Sequence, residues 1–320
     1  MVEVRKAEIT LQQTRADLAA EVRKYYFAWL TATEAERIFT DVATTAERLA
    51  TRQQKLLESG QGVAAYEVAQ AKVLAANAKG ELLQAQNRQL SARKQLATLI
   101  GLHDLSELLS GGEIPVPKYS LAVLETRLLD GHTELQMAEA LVTKEQHLLA
   151  LARAKAKPDI GTNTYVQHDF STKTAQVGLQ LGVVLPVYDA NQGAILQAQA
   201  NLGRASHEAE RVRLDLKKRL AEAFERYDTN SRQLEQYRTL IVPEQLKAFE
   251  GLSKRFEQEP GKVSFSEVVL AQQTLSNTYS SYLTALSAVW QAVADISRLV
   301  QTEDIYRGLS QTVPMKNVEK

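Results

Sequence analysis

Between Val177 and Asn191 the chain reads VGLQLGVVLPVYDAN, a short run of alternating apolar and small or polar residues that ends in a proline-aromatic-aspartate turn. On both sides lie long segments rich in alanine, glutamine and leucine, with almost no helix breakers. One β-ribbon of membrane grade joining very long helices leaves few folds open. The combination points away from an enzyme and towards a channel or scaffold assembled from several chains.

A chain of 320 residues could form one or two ordinary domains. Sparse glycine and proline and only two tryptophans, Trp29 and Trp290, argue against a compact globule. Such sequences make long helices that pack side by side through small residues. Lysine plus arginine and aspartate plus glutamate both number 38, with the signs interspersed. Nucleic-acid binding wants a basic surplus or stripe, so it is excluded as an expectation. Zero cysteines removes disulfides and thiolate zinc sites. The opening MVEVRKAEITLQQTRADL has no apolar h-region and does not read as a secretory signal. No window approaches 18 consecutive apolar residues, so a transmembrane helix is not expected. A membrane-spanning strand needs only about 9–11 residues of alternating character and is compatible with the same composition.

Five helical segments are legible. The first runs from near Val4 to about Glu58, with an apolar stripe through Leu11, Leu18, Val22, Tyr25, Trp29, Ala32, Ile38, Val42 and Leu49. Ser59-Gly60-Gln61-Gly62 stops it. The second, Val63 to Ile100, ends at Gly101, a residue suited to the position after a helix. Leu102 to Ser120 contains Gly111-Gly112 and Pro115-x-Pro117 and reads as an irregular connector. The third spans about Leu121 to Ala156, with a break expected near Asp130-Gly131. Asp159 to Val187 reads as two strands. The fourth helix runs from near Ala190 to about Gln258 and keeps a 3-4 apolar rhythm from Ile195 to Ala223. Pro243 implies a bend or the loss of one hydrogen bond within it. The fifth runs from Ser264 to Val300, after Pro260-Gly261, and 302–320 is a polar tail.

The two long hairpins look like copies. Asp17 to Trp29 (DLAAEVRKYYFAW) matches Asp215 to Tyr227 (DLKKRLAEAFERY) at an offset of 198. Beyond the turns, Val63, Glu67, Val68, Ala71 and Ile100 match Val263, Glu267, Val268, Ala271 and Val300 at an offset of 200. The repeated unit is a helix of about 70–80 Å, a tight tip, and a helix of about 55 Å, from the rise per residue. Helices that long have little private core, so neighbouring chains are expected to cover them. The sequence is thus divided into a first hairpin repeat at 1–101, a connector at 102–120, a second repeat at 121–301 with a β-hairpin at 159–187, and the tail.

Within the ribbon, Val177, Leu179, Leu181, Val183 and Leu185 share one parity. In the preceding strand Ile160, Thr162, Thr164, Val166 and His168 share a face, opposite Asn163, Tyr165, Gln167 and Asp169. One apolar and one polar face is the pattern of a strand in a water-filled barrel. Two strands cannot close one, and open edges are not tolerated in lipid, so other chains would have to complete it. A solvent-exposed hairpin packed on helices fits the same pattern.

In its order of elements the chain resembles the TolC-like outer-membrane efflux protein family, with a flavour similar to members serving metal or cation efflux. PVYDANQG (Pro186 to Gly193), PDIG (Pro158 to Gly161) after ARAKAK, and GKVSFSEVVLAQQTL (Gly261 to Leu275) carry the resemblance, along with the internal duplication. It implies a homotrimer in the cell outer membrane with a periplasmic helical domain, each protomer giving four strands to a twelve-stranded barrel. It also implies tips that meet a periplasmic adaptor and an inner-membrane pump. On this sequence the adaptor-contact tips are Ser59, Gly60, Gln61 and Gly62, and Glu259, Pro260, Gly261, Lys262 and Val263. The membrane-facing strand residues are Val177, Leu179, Leu181, Val183 and Leu185, against outer-membrane lipid. The first repeat starts already inside its helix, so an N-terminally truncated member, lacking one strand pair, its incoming helix and any signal, is the expectation.

No catalytic or metal constellation emerges. The five histidines (His103, His132, His147, His168 and His207) show no ligand spacing, and there is no Gly-rich phosphate loop, G-x-S-x-G or H-E-x-x-H. No cofactor is expected. The expected fold is mainly α, with long antiparallel coiled-coil hairpins in two repeats and a β-hairpin contributing to an oligomeric outer-membrane β-barrel. The expected function is a passive duct of a tripartite efflux system for small molecules or metal ions. A soluble coiled-coil scaffold or adaptor is the alternative.

Overall fold

In the computed structural model the described residues are 2–60, 62–102, 115–183, 190–259 and 262–301. The elements, in order, are α1 (Val2–Glu58), α2 (Ala65–Leu99), α3 (Leu121–Gly131), α4 (Thr133–Ala154), β1 (Ile160–Asp169), β2 (Thr174–Val183), α5 (Gln192–Gln236), a π-helical turn (Tyr237–Ile241), α6 (Val242–Gln258) and α7 (Phe265–Val300). They fall into two units: Met1–Gln13 with Leu129–Lys217, and Thr14–Leu128 with Lys218–Lys320.

The breakers act where local chemistry places them. Gly101 lies at φ +74°, a conformation that costs a side chain dearly. Leu102 N–H bonds the Ala97 carbonyl at 2.9 Å and Gly101 N–H bonds Thr98 at 3.2 Å, so α2 ends in a Schellman motif. The expected break near Gly131 is present: His132 leaves the helical conformation (ψ 128°) and its imidazole Nδ1 accepts from the Glu134 N–H at 3.1 Å, capping α4.

In the first unit, Leu149 and Ala152 of α4 pack with Ala198 of α5, flanked by Ile195 and Leu202. Asn191, at φ 57°, donates from its side chain to the Ala152 carbonyl at 2.8 Å and so ties the start of α5 to the end of α4. The ribbon pairs β1 and β2 antiparallel, Ile160 opposite Val183 through Asp169 opposite Thr174.

In the second unit the core lies between α1, α2 and α7: Ile38, Phe39, Val42, Ala43 and Ala46 meet Leu74, Ala78 and Ala85, with Leu283. Phe27 stacks on Trp290, ring centroids 4.2 Å apart. Arg298 bonds Asp17 at 3.0 Å, and Arg23 donates to Ser297 Oγ at 2.8 Å, both joining α7 to α1. Tyr227 donates its hydroxyl to the Pro117 carbonyl, which pins the described end of the connector.

Seven-residue ladders of buried and half-buried residues run along α7, α2 and the α5–α6 segment, and the last takes one longer step. On α7, Phe265, Gln272, Leu286, Val293 and Val300 are buried and Tyr279 half-buried, all on one seven-residue ladder. On α2 a buried seven-residue ladder carries alanine at Ala71, Ala78, Ala85 and Ala92. Along α5 and α6 the ladder runs Leu220, Tyr227, Leu234, then Val242, Phe249 and Phe256. Leu234 and Val242 are eight apart. The extra residue falls inside the π-turn, where Val242 N–H bonds Tyr237 O, five residues back. Pro243 follows directly and supplies no N–H to the ladder, so the local irregularity expected at that proline is located here.

Two expectations need correction. The ribbon of this chain is not closed into a barrel: among the described residues β1 and β2 form one two-stranded antiparallel sheet, so the fold is mainly α with a short antiparallel sheet. The physical reason is count: two strands leave both outer edges without partners, whatever the apolar pattern on their faces. Among the described residues no helix is long and apolar enough to cross a membrane. The apolar stripe of α1 also divides. Trp29, Ile38, Val42 and Leu49 are buried, but Leu11 and Leu18 are half-exposed, and Ile9 and Ala20 are buried instead. Periodicity identifies an apolar face; it does not say what covers it.

Candidate functional site

Two regions hold the residues singled out from the sequence. The first is the pair of helix tips in the second unit. After α1, Ser59 N–H bonds Lys55 O at 3.0 Å and its hydroxyl bonds Leu56 O at 3.1 Å. Gly60 (φ +70°) and Gly62 (φ +73°) turn the chain, both exposed, with open space around them. Gln61 lies outside the described residues. Restart into α2 relies on half a capping box: Glu67 Oε2 accepts from Ala64 N–H at 3.1 Å, and Ala64 has no side chain to reciprocate.

The second tip is better capped. Glu259 closes α6 by bonding Arg255 O at 2.8 Å, and Lys262 Nζ lies 3.1 Å from its carboxylate. Ser264 and Glu267 form a complete capping box, Ser264 N–H to Glu267 Oε2 at 2.7 Å and Glu267 N–H to Ser264 Oγ at 3.3 Å. Val263 is half-buried against the local core, and Pro260 and Gly261 lie outside the described residues.

The flanks of the two tips meet. Leu49 of α1 packs with Phe249 of α6 and Val268, Ala271 and Leu275 of α7. Arg52 pairs with Glu257 at 2.7 Å and also reaches the Glu257 carbonyl at 3.5 Å. Sequence reasoning missed Arg52, Phe249 and Glu257. Phe249 could have been found from its seven-residue spacing to Val242 and Phe256, whereas nothing local marks a charge pair 205 residues apart.

The second region is the ribbon. Val177, Leu179, Leu181 and Val183 are 76, 68, 66 and 53% exposed, and opposite them stand Val166, Thr164, Thr162 and Ile160. The shared face expected from parity is therefore built, and it is bare. Leu185 lies outside the described residues, as does most of the PVYDANQG run. On the other face the Tyr165 ring occupies the space a Cβ on Gly178 would need, so glycine there makes room for the aromatic. At the turn, Asp169 Oδ1 accepts from Ser171 Oγ (2.7 Å), Ser171 N–H (2.8 Å) and Thr172 N–H (3.4 Å). The side-chain bond from Ser171, with help from Thr172, holds the carboxyl down to about 2.

Among the described residues no three histidines, aspartates or glutamates come together to hold a metal ion. The tips and ribbon offer surfaces and turns, not reactive groups.

No family model matches the chain. It is 25% identical over 295 residues to the cobalt-zinc-cadmium resistance protein CzcC of Cupriavidus metallidurans, covering 92% of this chain and 70% of that protein. In fold it is similar to CusC, at a TM-score of 0.72 and 17% identity, over 95% of this chain and 70% of that one. It is also similar to the outer-membrane protein VceC of Vibrio cholerae, at 0.72 and 15%, over 94% and 73%. The outer-membrane channel OprN gives 0.71 and 18%, over 92% and 68%. The chain is therefore similar in sequence to CzcC along nearly its whole length, and it shares the fold of these solved outer-membrane channel proteins.

Proposed function

We propose that the protein is the outer-membrane channel component of a tripartite efflux system, a passive duct for small molecules or metal ions. The observation that supports this most is the sequence relationship to a cobalt-zinc-cadmium resistance protein over 92% of the chain. The driving force comes from an inner-membrane pump, so the chain needs no reacting group of its own. Its partners are two further copies, a periplasmic adaptor and the pump. Val4, Leu11 and Leu18, seven residues apart on α1 and at least half exposed, are a face that a second copy would cover. The tips at Ser59–Gly62 and Glu259–Val263 meet the adaptor. The bare face of Val177, Leu179, Leu181 and Val183 lies against outer-membrane lipid, which removes an apolar surface otherwise left in water.

The test is made in the native cell. Removing the gene is expected to raise retained cobalt, zinc or cadmium, or a small-molecule efflux substrate, and restoring it is expected to reverse the rise. The chain has no cysteine, so Ser59→Cys and Lys262→Cys give single attachment points at the two tips, each expected to cross-link to an adaptor. Unchanged retention of every cation and compound tried, with the protein confined to soluble fractions, rejects the reading.

A further inference from the structure

The eight-residue step in the α5–α6 ladder stands against unbroken sevens on its partner α7. The π-turn that absorbs it contains no buried residue and presents Leu240 to solvent. Beyond it, α6 carries one fully buried side chain, Phe249, whereas α7 is buried along its length. Two features weaken the helix at this point. The π-turn interrupts the i→i−4 ladder with an i→i−5 bond, and Pro243 removes one rung. The π-turn packs against α7, with Arg238 beside the Tyr282 side chain. Tyr282 is half-buried, and Arg37, itself held by Glu34 at 2.7 and 3.0 Å, lies beside it on α1. The weak point thus sits where α1 and α7 converge on one side of the turn.

We propose that the π-turn at Tyr237–Ile241 is a pivot about which α6 bends relative to the preceding part of α5, and that the contact between Arg238 and Tyr282 is its latch. The extra residue keeps Leu234 and Val242 on one seam in the straight form, and the missing rung lets the segment beyond flex without breaking an α-helical ladder. A pivot placed here gives α6 and Glu259 a freedom that α7 lacks. The inference rests on the chain's own geometry and stands whether or not the duct reading does.

Hydrogen–deuterium exchange on the full chain tests it, because amide exchange reads local opening directly. Tyr282→Phe removes only the hydroxyl from that contact. Amides of 237–258 are expected to exchange at least about tenfold faster, and those of 265–300 to keep their rates. Deleting Thr239 together with Pro243→Ala restores a continuous seven-residue ladder with all its rungs. The same amides are then expected to exchange at least about tenfold slower. Rates in 237–258 that stay within about twofold of the parent in either variant overturn the pivot and leave the turn a fixed spacer. Loss of helix content in the deletion variant also overturns it, since the ladder would then not be continuous without the extra residue.

Discussion

The second helices of the two hairpins, α2 and α7, occupy equivalent places in the repeats and are built differently. At an offset of 200, Val68, Ala71, Ala85, Ala92 and Leu96 are buried as Val268, Ala271, Ala285, Ala292 and Ile296 are. The phase of burial is therefore conserved within the chain while its content is not. Besides those positions α7 buries large side chains at Phe265, Leu275, Leu283, Leu286, Val289, Trp290 and Val293, whereas α2 buries Leu74, Ala78 and Ala97. Each large aliphatic or aromatic buried there contributes about 1.5–3 kcal/mol, and alanine much less. One repeat geometry can thus serve as an anchor in one copy and as a close-packed, thinly held contact in the other. The caps repeat the asymmetry, with Ser264 completing a box that Ala64 leaves half made.

The comparison breaks most readily at the most fully buried aromatic of α7. Phe265→Ala should cost about 3–5 kcal/mol in denaturant unfolding, since the side chain is fully buried beside Phe256. Ala78→Leu attacks the thin side. It overpacks a small-residue contact and should cost about 1–3 kcal/mol; a neutral result would mean α2 is loosely packed rather than close-packed. At the caps, Ser264→Ala should lose about 1 kcal/mol, whereas Ala64→Ser should gain a similar amount by completing the first box. Equal effects of opposite sign would show that the two tips differ only in this residue. Arg52→Ala should cost under about 1 kcal/mol, falling further in high salt, because both partners are more than a third exposed.

A last test concerns the ribbon. Asp169 is held at about 2, below its ordinary 3.8, so its turn bonds are present above about pH 4 and are lost as pH falls towards 2. Thr172 and Ser171 amide signals should shift over that window in the parent and stay flat in Asp169→Asn. A parent without that response would show that the turn is held by its backbone alone.

Much of this architecture is written locally. Gly60 and Gly101 follow helix ends and Gly62 turns the chain towards α2, each at a positive φ that other residues resist. The two faces of the ribbon follow from parity, since successive side chains of a strand point to opposite sides. Pro243 announced an irregularity because a missing N–H is a property of the residue itself. The tip positions were legible for the same reason, as turn chemistry between two periodic runs.

What lay beyond the sequence depends on partners distant along the chain. Only the folded chain shows that Ile9 and Ala20 are buried while Leu11 and Leu18 are not, because burial is set by whatever helix arrives opposite. It alone pairs Arg52 with Glu257 and sets Arg238 against Tyr282, contacts that no spacing encodes. And it alone shows the described ribbon of this chain to be two strands wide, because an alternating pattern specifies which face is apolar but not how many strands stand beside it. Periodicity and backbone chemistry are local and can be read from one chain; closure, burial and charge pairing are long-range, and the tertiary structure settles them.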